Sequence, residues 1–136
     1  MNKSMLDLLL NSKRENFKRD TQEVEIPRLS KMFGEPFLLK CHSLNILEYQ
    51  EVQEEVDIDK DGNISTGDVH LMTVLKSVPQ LSEPQLMKHF GVPTPKELVN
   101  LILKPGEVST LANIILELSG FEDNNVVAQT EKEVKN

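Results

Sequence analysis

Tryptophan is absent from this 136-residue chain, and aromatic residues make up only 4% of it. That leaves little material for base-stacking platforms or for aromatic cages around cationic ligands. Cysteine is nearly absent as well: the single Cys41 can form neither an internal disulfide nor a four-cysteine zinc site, which points to a reducing compartment. Positive charge is in deficit, 15 Lys and Arg against 22 Asp and Glu for a net charge of −7. Such a balance repels phosphate backbones and anionic lipid, so neither nucleic acid nor a membrane surface is an expected partner. Long apolar runs are missing too. The longest near the start, Met5-Leu-Asp-Leu-Leu-Leu10, is too short to span a bilayer and has no small-residue cleavage site behind it. The expected location is the cytoplasm.

The chemistry of enzymes is equally hard to assemble from these residues. His42, His70 and His89 are far apart, with no partner at metal-ligand spacing. Cys41 alternates with Phe37 and Leu39 along an apparent strand, which makes it an inward-facing small hydrophobe rather than a reactive thiol. No glycine string forms a phosphate cradle. The chain is therefore expected not to be an enzyme and to need no cofactor.

What is present is enough apolar material, 38% of residues, for one core. Residues 5–18 carry Leu6, Leu9, Leu10 and Phe17 at helical spacing. Val24 and Ile26, then Phe37, Leu39 and Cys41, alternate with polar or outward positions and predict two short strands, expected to pair antiparallel. Asn45 with Glu48 caps a helix that presents Tyr49, Val52 and Val56, and the apolar segment 69–78 predicts a central helix ended by Pro79. Two further starts follow, at Ser82-Glu-Pro84 and at Thr94-Pro95, with Gly91 placed to end the helix between them. The last helix, 107–119, puts Val108, Leu111, Ile115 and Leu118 on one stripe and closes at Gly120-Phe121. Residues 122–136 are too polar to repay the entropy of ordering. The expectation is an α+β fold: a mainly helical single domain over 1–121 with a small two-stranded N-terminal sheet, then a flexible, acidic, disordered tail over 122–136.

The sharpest motif lies at 57–68. Asp57, Asp59, Asp61, the carbonyl of Asn63, Ser65 through water, and Asp68 occupy the ligand places of an EF-hand loop, with Gly62 at the turn. Against this, Asp68 is one methylene shorter than the usual glutamate, Gln53 and Lys76 stand where packing residues belong, and no second loop exists. Turn chemistry and a Ser65–Asp68 capping box account for the same string. A single calcium-binding module, holding its ion weakly, is thus the alternative function.

Five strings decide the main reading. Glu23-Val-Glu-Ile-Pro-Arg-Leu-Ser30, Gly34-Glu-Pro-Phe-Leu-Leu-Lys-Cys41, Leu86-Met-Lys-His-Phe-Gly-Val-Pro-Thr-Pro-Lys-Glu-Leu98, Pro105-Gly-Glu107 and Ile115-Leu-Glu-Leu-Ser-Gly-Phe121 resemble, in this order, the XkdN-like tail assembly chaperones of phages and PBSX-type prophages. The resemblance implies a non-enzymatic factor that binds the tape-measure protein, with the tail-tube protein as a further candidate partner. It keeps the tape-measure chain soluble in the host cytoplasm and is absent from the mature virion. The resemblance carries no catalytic residues and implies no calcium. By apolar excess, the candidate contact residues are Leu6, Leu9 and Leu10 on the first helix and Leu111, Ile114 and Leu118 on the last, although core packing is the commoner use of such side chains. Oligomeric state is left open.

Overall fold

A computed structural model describes residues 3–55, 61–62, 66–122 and 125–129. Helix α1 spans Met5–Leu10 and leads through a 3-10 turn, Arg14–Phe17, into strand β1, Thr21–Glu25. Helix α2, Pro27–Phe33, connects β1 to strand β2, Leu38–His42. The two strands pair antiparallel with Thr21 opposite His42 and Glu25 opposite Leu38. Helices α3 (Ile46–Glu55), α4 (Thr66–Ser77), α5 (Pro84–Phe90), α6 (Pro95–Ile102) and α7 (Pro105–Leu118) follow, with a 3-10 turn at Pro79–Ser82 between α4 and α5. The mainly helical α+β expectation holds.

Most elements start and stop where their end residues dictate. Asn45 and Glu48 cap α3 reciprocally: the Glu48 N–H donates to Asn45 Oδ1 at 2.8 Å, and the Asn45 N–H to Glu48 Oε1 at 3.1 Å. Thr94 Oγ1 accepts the Glu97 N–H ahead of Pro95 at the first position of α6. Gly91 ends α5 in the left-handed region, φ 67°. Helix α5 itself starts one residue later than the Ser82 cap predicts, because Ser82 closes the preceding 3-10 turn and Glu83 takes the N-cap position.

Two departures from the expected elements matter more. The first helix stops at Leu10, because the side chains of Asn11 and Ser12 donate to the Asp7 and Leu9 carbonyls and close its end. The second is α2, which occupies residues expected to be strand end and loop. Pro27 at its first position and Gly34 in a left-handed C-cap, φ 72°, bracket Leu29, Met32 and Phe33 at helical spacing.

The core lies between α4, α7 and the sheet. Val74 of α4, Val78 just past its end, Leu111, Ala112 and Ile115 of α7, and Leu39 and Cys41 of β2 are all buried in one cluster. Two hydroxyls, of buried Ser77 and half-buried Ser119, join helices to the sheet region. Ser77 Oγ accepts the His42 N–H at 3.0 Å and donates to the His42 carbonyl at 2.7 Å. Ser119 Oγ accepts the Leu44 N–H and donates to the Ile115 carbonyl. With Gln80 Oε1 taking the Lys40 N–H at 3.5 Å, side chains satisfy the outer edge of β2. The other edge of the sheet, along β1, carries no third strand among the described residues, and Thr21, Glu23 and Glu25 are exposed there. Residues 122 and 125–129, the described part of the expected tail, are exposed and have no helix or strand; 123–124 and 130–136 lie outside the described residues.

Candidate functional site

Helix α2, the start of β2, the 3-10 turn at Pro79–Ser82, α5 and α6 surround a groove of about 690 Å³. Its floor is made by Leu29, Leu39, Leu81 and Leu98, all buried. Its walls are different in kind. Met32 (64% exposed), Phe33 (60%), Leu38 (47%), Phe90 (45%) and Leu101 (56%) are large apolar side chains left substantially in water. Single exposed hydrophobes are unremarkable, but five around one concavity form a contiguous apolar patch of the sort that marks an interaction site.

The polar groups of the groove are already committed. Arg28 Nε and Nη2 donate to the two carboxylate oxygens of Glu107, each at 2.9 Å, and Nη2 also donates to the Ile102 carbonyl at 2.8 Å. This bidentate pair ties α2 to the start of α7, where Glu107 Oε1 also accepts the Lys104 N–H. The hydrogen bond from Arg28 holds the Glu107 carboxyl below the usual carboxylate range, and the same bond makes the guanidinium harder to deprotonate. Gln80 is engaged with the Lys40 N–H. Among the described residues no uncommitted polar side chain converges on the floor to orient a small polar ligand, so the groove offers shape and apolar contact.

The residues singled out from the sequence fall in three places. Leu6, Leu9 and Leu10 sit on α1, which buries none of its residues and exposes Met5 and Leu8 beside them. Leu111 is 1% exposed and belongs to the core. Ile114 is half-buried and shares a smaller cleft of about 240 Å³ with Leu111, Val24 and Ile26, whereas Leu118, also half-buried, lies with Ile114 along a polar depression beside Asp20 and Glu117. Of the calcium-loop residues, Asp57, Asp59, Asn63 and Ser65 lie outside the described residues. Asp61 is in an exposed turn with Gly62, and Asp68, in the first turn of α4, has Oδ1 4.0 Å from Lys96 Nζ. Cys41 is fully buried, and burial pushes its thiol up to about 11, which suits the packing role expected of it.

The groove itself is not visible from the sequence, because its two halves, residues 27–42 and 79–104, are separated by more than thirty positions. Local signals for α2 were present in the Pro27-to-Gly34 bracket. Phe90 turns nearly half its surface to solvent at the groove wall.

Fold and site together define a small α+β domain organised around an open apolar groove, a protein suited to holding another molecule. Over residues 6–135 the chain matches the family described as phage XkdN-like tail assembly chaperone protein, TAC, and it belongs to that family. Among solved structures, the crystal structure of the protein YqbN superposes with a TM-score of 0.55 at 17% identity, covering 76% of this chain and 88% of that one, which is a likeness of fold. No curated protein sequence matches the chain.

Proposed function

We propose that this phage tail assembly chaperone binds the tape-measure protein, seats an apolar helical segment of it in the groove between α2, α5 and α6, and keeps it soluble until tail-tube subunits enclose it. It works stoichiometrically in the host cytoplasm, makes and breaks no bond, and is left out of the mature virion. The observation that carries this reading is the ring of five exposed apolar side chains around a groove whose polar groups are already satisfied. A long helical chain awaiting assembly exposes apolar seams that aggregate, and a groove of this chemistry covers them.

Co-expression tests the reading directly. The tape-measure protein should be mostly soluble with the wild-type chain and mostly pelleted with Phe33→Asp/Leu101→Asp, a variant whose changes lie on exposed positions and leave the core intact. Equal solubility of the tape-measure protein with and without the chaperone would refute the proposal.

A further inference from the structure

Helix α1 is an apolar element that its own chain leaves uncovered. Met5, Leu6, Leu8, Leu9 and Leu10 are each between 51% and 74% exposed, and no residue of the helix is buried. At about 100° of turn per residue they sweep about 200° of its circumference, centred on Leu9, with Asp7 on the opposite side. So wide an apolar arc suits a site that encloses a helix on several sides, not a flat surface.

The groove between α2, α5 and α6 matches this helix in size and in chemistry. A cavity of roughly 150 Å³ takes one benzene-sized group, so about 690 Å³ admits about four such groups, close to the number that α1 carries. Its one charged lining residue, Arg28, is neutralised by Glu107. Helix α1 asks for no polar partner there, because its ends are closed by neighbouring side chains: Ser4 Oγ accepts the Asp7 N–H at 3.1 Å, and the side chains of Asn11 and Ser12 donate to the Asp7 and Leu9 carbonyls.

Within one chain the two are held apart. The Asp20 carbonyl accepts the Ser43 N–H at 2.8 Å, the Asp20 N–H donates to Ser43 Oγ at 3.2 Å, and Arg19 pairs with Glu48 at 3.1 Å. These contacts fasten the entry to β1 at the end of the sheet where Thr21 faces His42, whereas the groove takes in Leu38, about 13 Å further along β2. A second copy can bring its groove to α1 with those contacts intact, residues 11–18 serving as the arm.

We propose that two copies of this chain exchange α1 reciprocally, each seating Leu6, Leu9 and their neighbours in the groove of the other about a two-fold axis. The areas favour exchange in both directions. At about 200 Å² for a fully exposed side chain of this size, the apolar residues of α1 expose about 600 Å² and the five groove walls about 500 Å². Covering two thirds of both, twice over, buries about 1,500 Å², within the roughly 1,200–2,000 Å² of a stable interface, and a single contact falls short of it. The dimer closes both grooves in the absence of a client. That a client displaces α1 rests on the chaperone reading; the dimer itself does not.

Light scattering behind size exclusion should give twice the mass of one chain for the wild type at about 100 μM. Leu6→Asp/Leu9→Asp and Phe33→Asp/Leu101→Asp, which change exposed side chains, should each run as single chains. Disulfide trapping reads the contact itself, since Cys41 is fully buried. Mixed Leu9→Cys and Leu101→Cys chains under mild oxidation should yield about tenfold more crosslinked heterodimer than Leu9→Cys mixed with Ile46→Cys, whose site on α3 is exposed and outside the groove. A monomeric wild type at that concentration, a dimer that survives either pair of Asp substitutions, or no excess of crosslinking between positions 9 and 101 overturns the proposal. Co-expression is a separate readout. A tape-measure protein kept soluble by Leu6→Asp/Leu9→Asp leaves the chaperone reading standing whether or not the dimer exists, and one never kept soluble refutes that reading while mass and trapping still decide the dimer.

Discussion

Ser77→Ala removes one buried oxygen, which makes its consequence unusually easy to work out. The side chain is fully buried, and its hydroxyl closes two hydrogen bonds with a single residue, taking the His42 N–H at 3.0 Å and giving its own proton to the His42 carbonyl at 2.7 Å. Alanine fills nearly the same volume, so the cavity contribution is small and the loss is almost all polar. An orphaned, poorly solvated backbone N–H costs about 1–3 kcal/mol, whereas the carbonyl, at the end of β2 and half-exposed, can recover water. The expected destabilisation is about 2 kcal/mol, or a fall in Tm of about 8 °C for a domain of this size. Urea and thermal melts followed by circular dichroism measure it. Since β2 also supplies Leu38 and Leu39 to the groove, hydrogen exchange should speed up at His42 ahead of the helices. A loss below about 0.5 kcal/mol, or exchange unchanged at His42, would refute the claim that this hydroxyl holds the strand edge.

Glu107→Gln addresses the Arg28 pair through pH. The folded carboxyl titrates below its ordinary 4.5 because Arg28 donates to it, so its stabilisation is fully present above pH 4.5 and is lost as pH falls through the lower folded value. Urea midpoints of the wild type should drop across that acid window, and those of Glu107→Gln should drop less. Leu98→Ala, on the buried floor of the groove, should cost about 2–5 kcal/mol, while Leu101→Asp on the exposed wall should cost about 0.5 kcal/mol or less yet still reduce client binding. Calorimetric titration with calcium should detect no affinity tighter than about millimolar; micromolar binding would revive the calcium-module alternative at 57–68.

Much of the fold could be read from single residues because caps are local. Thr94-Pro95, Gly91, the Asn45–Glu48 box and the Gly120-Phe121 stop each act through neighbours within a few positions, and Phe121 does fold back, its N–H donating to the Leu116 carbonyl. The central placement of α4 followed from an apolar content spread too widely for an exposed helix. Helix α2 is masked in the sequence because Val24 and Ile26 alternate with glutamates, a period of two that runs up to Pro27, where the backbone turns helical. The groove is hidden in the sequence for a deeper reason. Leu38 and Leu101, or Phe33 and Phe90, become neighbours only when the sheet and the 79–104 helices dock, and no spacing within either segment encodes that meeting. The family resemblance named the class without revealing the surface, because its strings are caps and strand cores as well as wall residues.

The bare side of the two-stranded sheet has its own logic. Were two copies to meet along β1, Glu23 and Glu25 of each would be brought together across the new seam, and carboxylates set opposite one another oppose strand pairing. With Ser77 and Gln80 occupying the far side, ribbon growth is discouraged in both directions. A tail assembly chaperone with such a sheet does not template fibres of its own.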